Sequence, residues 1–99
     1  MEALLTIAIP TFNNPEQLHW CLSSLLRHTE FPHRIIVVNN GGENAHAVEF
    51  SCKQLGFPSL EVLNLDKNLG WMGGINAALE RTETPFFCMM NDDVVFIPG

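Results

Sequence analysis

Basic residues are scarce in this sequence. Its 99 residues include five Lys and Arg against eleven Asp and Glu, which gives a formal net charge of -6 at pH 7. This charge argues against nonspecific attraction to nucleic acid or to anionic lipid, so nucleic acid is set aside as a partner. It would also repel a phosphorylated ligand unless a cation or backbone N–H groups intervened. An anionic ligand would therefore favour a bound divalent cation.

Cysteine pairs and long apolar runs are also missing. Cys21, Cys52 and Cys88 are an odd number of cysteines without C-x-x-C spacing, which suits a reducing compartment better than a disulfide framework. We expect each of them to be a buried small hydrophobic residue. No apolar run approaches the ~20 residues of a membrane span, and no basic segment precedes the first apolar stretch. The expected location is cytoplasmic, and any peripheral attachment to a membrane would use regions outside residues 1–99.

The apolar pattern predicts four strands that alternate with three helices. Strands are predicted over 4–9, 34–38, 60–65 and 85–90, and helices over 15–28, 45–55 and 75–81. The continuous β-branched run at 35–38 is typical of a parallel strand covered on both faces, whereas the alternation at 60–65 places that strand nearer an edge. We predict a single α/β domain over 1–99, with a Rossmann-like, mostly parallel sheet and helices on both faces.

Polar and Gly-rich clusters follow three of these strands, at residues 11–14, 39–42 and 91–93. One such cluster taken alone is usually only a turn. In parallel α/β sheets, however, ligands gather beyond the carboxyl ends of the strands, where all three clusters would share one rim. The sequence therefore predicts a binding site at this rim.

Two adjacent carboxylates, Asp92 and Asp93, come directly after the apolar run 86–90 and would repel each other there. Oxygen ligands of this kind suit Mg²⁺ or Mn²⁺, which bind through one or two carboxylates while substrate phosphates and water complete the coordination. Because neighbouring side chains of a strand point to opposite faces, we expect only one of the two to touch the metal. The alternative is that one aspartate caps a turn and the other is solvated.

Familiar catalytic motifs are absent. The segment 70–74, Gly-Trp-Met-Gly-Gly, either brings backbone N–H groups close to an anion or shapes a turn before a helix. It has neither the G-x-G-x-x-G order of a dinucleotide site nor the P-loop pattern, and no G-x-S-x-G elbow occurs in the chain. We expect Trp20 to pack on its helix. Trp71 either lies in the core, which we favour, or borders a ligand site.

Four segments, in order and spacing, resemble the N-terminal half of the family 2 glycosyltransferases. They are Ile7-Ala8-Ile9-Pro10-Thr11-Phe12-Asn13, residues 36–41, Asn68-Leu69-Gly70 with residues 74–79, and Asn91-Asp92-Asp93-Val94. The resemblance spans nearly the whole chain, and the DxD-like acidic pair is its most specific part. It implies the GT-A fold and a subdomain that binds a nucleotide-diphosphate sugar, with UDP and dTDP sugars as the first candidates.

The resemblance also implies roles for individual residues. The loop at Pro10, Thr11 and Phe12 would cradle the base and ribose, and Asn40 with Asn39 would contact the base. Asp93, with Asp92 beside it, would hold Mn²⁺ or Mg²⁺ against the diphosphate. The implied nucleotide site comprises Pro10, Thr11, Phe12, Asn13, Asn39, Asn40, Gly70, Gly74, Asn76 and Asp92.

Two departures from the family pattern leave questions open. The base-reading pair is commonly acidic in the family but is Asn39-Asn40 here, and an amide both donates and accepts, which leaves the choice of nucleotide open. Family members also carry a second half that binds the acceptor and supplies a catalytic base, and no base can be named in residues 1–99. We expect the N-terminal part of a longer enzyme that transfers a sugar, by inversion, to an unknown acceptor.

Two other interpretations compete with this one. The first is a non-catalytic module of the same fold that binds nucleotide or protein. The second, a phospho-acceptor receiver, places its acidic pair after the first strand, where this chain has Thr11, Phe12 and Asn13. Under the favoured interpretation, a truncated sheet exposes a flank, so we expect self-association through that flank.

Overall fold

A computed structural model describes residues 3–29, 31–41, 45–57 and 59–95. Strands and helices alternate along the chain in the order β1 (Leu5–Thr11), α1 (Pro15–His28), β2 (His33–Asn40), α2 (Ala45–Leu55), β3 (Leu60–Leu65), α3 (Gly70–Glu80) and β4 (Phe86–Met89). The strands form one parallel sheet in the order β3-β2-β1-β4. This confirms the predicted α/β, Rossmann-like architecture and places β3 at an edge.

The strand register brings the carboxyl ends of the strands to one side of the sheet. Ala8 of β1 is level with Ile36 of β2 and Met89 of β4, and Thr11 is level with Asn39. Because all four strands run the same way, the residues that follow them meet at one edge. The polar clusters at the carboxyl ends of β1, β2 and β4 therefore share the rim that the sequence predicts.

Helices cover both faces of the sheet, as predicted. Alternate residues of β1 and β2 pack against α1 and α2 in one apolar cluster, which contains Ile7, Ile9, Leu18, Leu22, Leu25, Ile35, Val37 and Val48. The intervening strand residues pack against α3 in a second cluster, which contains Ala8, Ile36, Val38, Ile75 and Ala78. Burial on both faces explains why β2 reads as an unbroken apolar run.

Several element boundaries differ from the prediction, most of all at β1, β2 and α3. Strand β2 runs through Asn39 to Asn40 instead of ending at residue 38. Strand β1 continues through Pro10 to Thr11. The backbone of Ala8 points toward β4, since its carbonyl accepts the N–H of Met90 at 3.0 Å. The backbone nitrogen of Pro10, two residues later, points to the same side but lies beyond the end of β4. The missing N–H of Pro10 therefore breaks no ladder bond. Helix α3 begins at Gly70 instead of residue 75. The Gly-rich segment is thus the first turn and a half of a helix and not a loop before it.

Three predictions of burial are wrong. Cys21 and Cys52 are buried, but Cys88 is exposed. Trp20 is 58% exposed, because it lies off the apolar stripe of α1 that Leu18, Cys21 and Leu22 form. Trp71 is 44% exposed and lies at the rim of the sheet instead of in the core. Among the helices that the structure describes, none is both long and apolar enough to cross a membrane.

Candidate functional site

A cavity of about 280 Å³ opens at the carboxyl edge of the sheet. Its walls come from the end of β1 and the loop after it, the end of β2, the start of α3 and the loop after β4. The described residues that line it are Pro10, Thr11, Phe12, Asn14, Asn40, Asn68, Gly70, Trp71 and Asp92. Its volume is at the low end of ligand pockets, which suits one part of a nucleotide sugar rather than the whole.

A hydrogen bond between Thr11 and Asp92 closes one side of this cavity. The Thr11 hydroxyl donates to Oδ2 of Asp92 at 2.8 Å. Thr11 is buried and Asp92 is half-buried, whereas Asp93 is exposed and is not among the described residues that line the cavity. The structure thus places Asp92 in the cavity wall. The assignment of Asp93 as the main metal ligand, with Asp92 beside it, stays a prediction.

Asn40 holds the other side of the cavity. Its Nδ2 atom donates to the carbonyl oxygen of Gly70 at 2.9 Å, and its Oδ1 atom accepts the N–H of Leu69 at 2.9 Å. Gly74 lies over this amide, since a Cβ atom there would come within 3.3 Å of Asn40 Nδ2 and 3.4 Å of Pro10 Cβ. The buried Asn40 amide therefore fastens the start of α3 to the end of β2.

The other predicted nucleotide residues lie apart from the described cavity lining. Asn39 is on the opposite face of the sheet, where its Nδ2 donates to Oδ1 of Asn64 at 3.2 Å, and Asn64 in turn donates to Glu49. Asn13 follows β1 with a φ of 53°, and Asn76 is exposed on α3. Nucleotide contacts by Asn13, Asn39 and Asn76 stay predictions.

Trp71 and Asn91 form a contact that the sequence analysis missed. The indole Nε1 of Trp71 donates to Oδ1 of Asn91 at 3.1 Å, which ties the first turn of α3 to the residue before Asp92. Asn14, which belongs to the predicted rim cluster 11–14, and Asn68 also line the cavity, although neither was among the predicted nucleotide residues. The signal for Trp71 was its position in the Gly-rich segment 70–74, whose backbone could approach a ligand closely.

Cys21 of α1 lies under the loop that carries the acidic pair. Its thiol is 3.8 Å from the carbonyl oxygen of Asn91. Burial, and then the negative charge of Asp92, raise the pKa of the Cys21 thiol to about 11. The thiol is therefore protonated at neutral pH and serves as packing, not as a nucleophile.

The described residues include no group of three or more His, Cys, Asp or Glu side chains placed to hold a metal ion. Two adjacent carboxylates nonetheless fit Mg²⁺ or Mn²⁺, which take few protein ligands when diphosphate oxygens and water complete the shell. A larger cavity of about 450 Å³ lies between α2 and β3, lined by residues such as Cys52, Phe57 and Val62. None of the predicted site residues lines it.

Comparison with known proteins decides the family. The model of the family described as Glycosyl transferase family 2 matches residues 6–99. The chain belongs to glycosyl transferase family 2. The chain is 33% identical over 95 residues to the uncharacterized glycosyltransferase YwdF of Bacillus subtilis. That alignment covers 96% of this chain and 34% of YwdF, so the chain spans about a third of its relative.

Solved structures share the fold. The mannosyltransferase PcManGT from Pyrobaculum calidifontis, in complex with GDP-Man and Mn²⁺, superposes with a TM-score of 0.84 at 16% identity, over 97% of this chain and 29% of that protein. TarS of S. aureus in complex with UDP gives a TM-score of 0.75 at 22% identity, over 94% and 28% of the two chains. This family 2 chain therefore shares its Rossmann-like α/β fold with part of these GT-A glycosyltransferases.

Proposed function

We propose that this chain is the donor-binding part of a glycosyltransferase and that it binds a nucleotide-diphosphate sugar at the carboxyl edge of its sheet. The observation that carries the proposal is the hydrogen bond of 2.8 Å from Thr11 to Asp92. It joins the end of β1 to the acidic pair after β4 in the wall of the cavity. Membership of glycosyl transferase family 2 supports the same conclusion.

Asp92 and Asp93 are the residues that would hold Mn²⁺ or Mg²⁺. The Thr11 hydroxyl orients the Asp92 carboxylate, whose two oxygens accept more than one partner. A bound ion supplies Lewis-acid stabilisation of the departing nucleoside diphosphate and offsets its charge against this acidic chain. The fold relative PcManGT is known in complex with both GDP-Man and Mn²⁺, which supports a divalent ion here.

The nucleoside would bind with Pro10, Thr11 and Phe12 on one side. On its other side would be the start of α3, which is hydrogen-bonded to Asn40. UDP and dTDP sugars are the first candidate donors, and the fold relative TarS is known in complex with UDP. In the transfer, the acceptor atom bonds to the anomeric carbon as the bond to the diphosphate oxygen breaks, and a base takes the acceptor's proton. We expect inversion at that carbon. The acceptor and the base stay unassigned.

A non-catalytic module that binds nucleotide or protein is the second candidate. In the part of the chain that the structure describes, Asp92 is the only acidic side chain that lines the cavity. A metal ligand and a separate base are different roles, so this cavity alone does not supply both. Sugar transfer by the 99-residue chain would exclude this second candidate.

Thermal unfolding with added nucleotides tests the proposal. A ligand that binds only the folded chain raises the unfolding temperature Tm. With UDP, dTDP, GDP or CDP and Mn²⁺, we expect at least one nucleotide to raise Tm, and EDTA to reduce that rise. If none of the four changes Tm in the presence of Mn²⁺, a donor site in this chain is excluded.

A further inference from the structure

Recognition by edge hydrogen bonds is restricted in this cavity. Of the two residues that the family resemblance assigns to the base, Asn39 lies on the other face of the sheet. Asn40 is 4% exposed, and both ends of its amide already bond to the backbone of residues 69 and 70. Asn39 therefore faces away from this cavity, and the Asn40 amide, with one hydrogen bond at each end, is buried beside the start of α3.

Aromatic surface, by contrast, is open in the cavity. Phe12 and Trp71 both line it, and they are 43% and 44% exposed. Two hydrogen bonds fix the position of Trp71. Its indole N–H donates to Asn91 at 3.1 Å, and the carbonyl of the preceding residue, Gly70, accepts a hydrogen bond from Asn40. Because its N–H group is already used, the indole offers its ring surface to a ligand.

An anchored, half-exposed ring beside the buried Asn40 amide favours stacking. Aromatic side chains bind bases by their π-faces and tolerate different bases, because every base has such a face. We propose that Trp71 is the nucleobase platform of this cavity, positioned by Asn40 and Asn91, and that the site accepts nucleoside diphosphates with little discrimination between bases. This inference rests on the proposed function and specifies how the same site selects its substrate.

The chain offers its own control, since it contains two tryptophans. Trp20 is on α1, outside the cavity, and Trp71 lines it. In Trp20→Phe, all tryptophan emission comes from Trp71, and we expect UDP, CDP and GDP with Mg²⁺ to change it saturably. In Trp71→Phe, the emission comes from Trp20, and we expect no saturable change.

Calorimetric titration with the same three nucleotides then measures how much the Trp71 ring contributes to nucleotide affinity. For the parent chain, we expect Kd values for UDP, CDP and GDP within about tenfold of one another. Trp71→Ala should weaken all three by about fivefold to a hundredfold, the loss of one base stack. Trp71→Phe keeps a ring and should stay within about threefold of the parent, and circular dichroism checks that each variant is folded.

The outcomes separate this inference from the proposed function. If the folded parent binds none of the three nucleotides, both are overturned. If the parent binds and folded Trp71→Ala binds equally well, or Trp71→Phe loses as much affinity as Trp71→Ala, the platform is overturned and the donor site stands. If the parent prefers one base by more than tenfold, the inference that the site discriminates weakly between bases is overturned.

Discussion

The hydroxyl of Thr11 donates a hydrogen bond of 2.8 Å to Oδ2 of Asp92, which lies 81 positions later in the chain. Thr11 ends β1, and Asp92 follows β4, its neighbour in the sheet. The bond holds an acidic side chain against the end of β1, next to Phe12. Hydrogen bonds to an ionised carboxylate are among the stronger ones in proteins, so this contact fixes the geometry of the rim.

Replacing Thr11 with Val keeps the shape of the side chain and removes this hydrogen bond. We expect Thr11→Val to lower the free energy of unfolding by about 1–2 kcal/mol. It should also weaken metal-dependent nucleotide binding by about tenfold, because residues that orient a metal ligand affect affinity on this scale. Urea unfolding and calorimetric titration measure the two effects.

Thr6→Val is the matched control for that variant. Thr6 is also in β1, is buried, and bonds to the Thr84 hydroxyl at 2.6 Å near the amino end of the strand, away from the cavity. It should lose similar stability and keep the nucleotide affinity of the parent. Equal affinities in Thr11→Val and Thr6→Val would show that the Thr11 bond has no part in binding.

Gly41 directly follows β2 and packs against the segment that precedes α3. Its φ is +80°, and a Cβ atom there would collide with the backbone of Lys67 and Asn68. Gly56 has a similar φ of +71° but open space around it. Gly56→Ala should cost about 1–2 kcal/mol of stability from backbone strain alone, and Gly41→Ala about 1–3 kcal/mol more from the added collision. Equal losses in urea unfolding would contradict the close packing at residue 41.

The two buried cysteines should make stability depend on pH in the alkaline range. Burial raises the pKa of Cys21 and of Cys52 from the ordinary value of 9.0 to about 11. The folded chain therefore holds these protons more tightly than the unfolded chain. Their contribution to stability is complete below about pH 9 and is lost as the pH rises to about 11.

Cysteine variants isolate this effect from other groups that titrate in the same range. We expect urea unfolding of the parent to show a decline in stability between pH 9 and 11 that is shallower in the double variant Cys21→Ala, Cys52→Ala. Cys88→Ala removes an exposed thiol and should keep the slope of the parent. A double variant with the parental slope would mean that folding does not shift these thiols.

The edge strand β4 should promote self-association. In the described sheet it pairs with β1 on one side only, and its Phe86 is 60% exposed. An unpaired apolar edge is a template for pairing with another chain. Light scattering should show a mass that rises with concentration for the parent and not for Phe86→Glu. Phe50→Glu, on exposed α2 surface, is the control and should behave like the parent; a parent that stays monomeric would refute the prediction.

Much of the fold could be predicted from the sequence because burial on both faces leaves a direct pattern. The unbroken run Ile35–Val38 indicated a strand between two helical layers, and the alternation in β3 indicated an edge. The start of α3 could not be found this way, because Gly73 and Gly74 read as a loop. The need for glycine there comes from a tertiary contact, since Gly74 lets the helix approach Asn40 and Pro10.

The rim of the site could also be predicted, since each polar cluster follows a strand. What local sequence did not reveal was which neighbour each polar side chain bonds. Asn39 and Asn40 are adjacent, yet alternation along β2 sends one to Asn64 and the other to the start of α3. The role of Trp71 depends on Asn91, 20 residues away in sequence, so no short motif reports it.

The central claim is a metal-dependent nucleotide site at Asp92 and Asp93. Its most direct test is calorimetric titration of UDP, dTDP, GDP and CDP, with Mn²⁺ or with EDTA, into the parent, Asp92→Asn, Asp93→Asn and Glu83→Gln. Glu83 precedes β4, so Glu83→Gln removes a charge away from the rim. We predict that the parent and Glu83→Gln bind at least one nucleotide more tightly with Mn²⁺ than with EDTA, and that both aspartate variants lose this difference. A folded parent that binds no nucleotide, or binds equally well in EDTA, would contradict the claim.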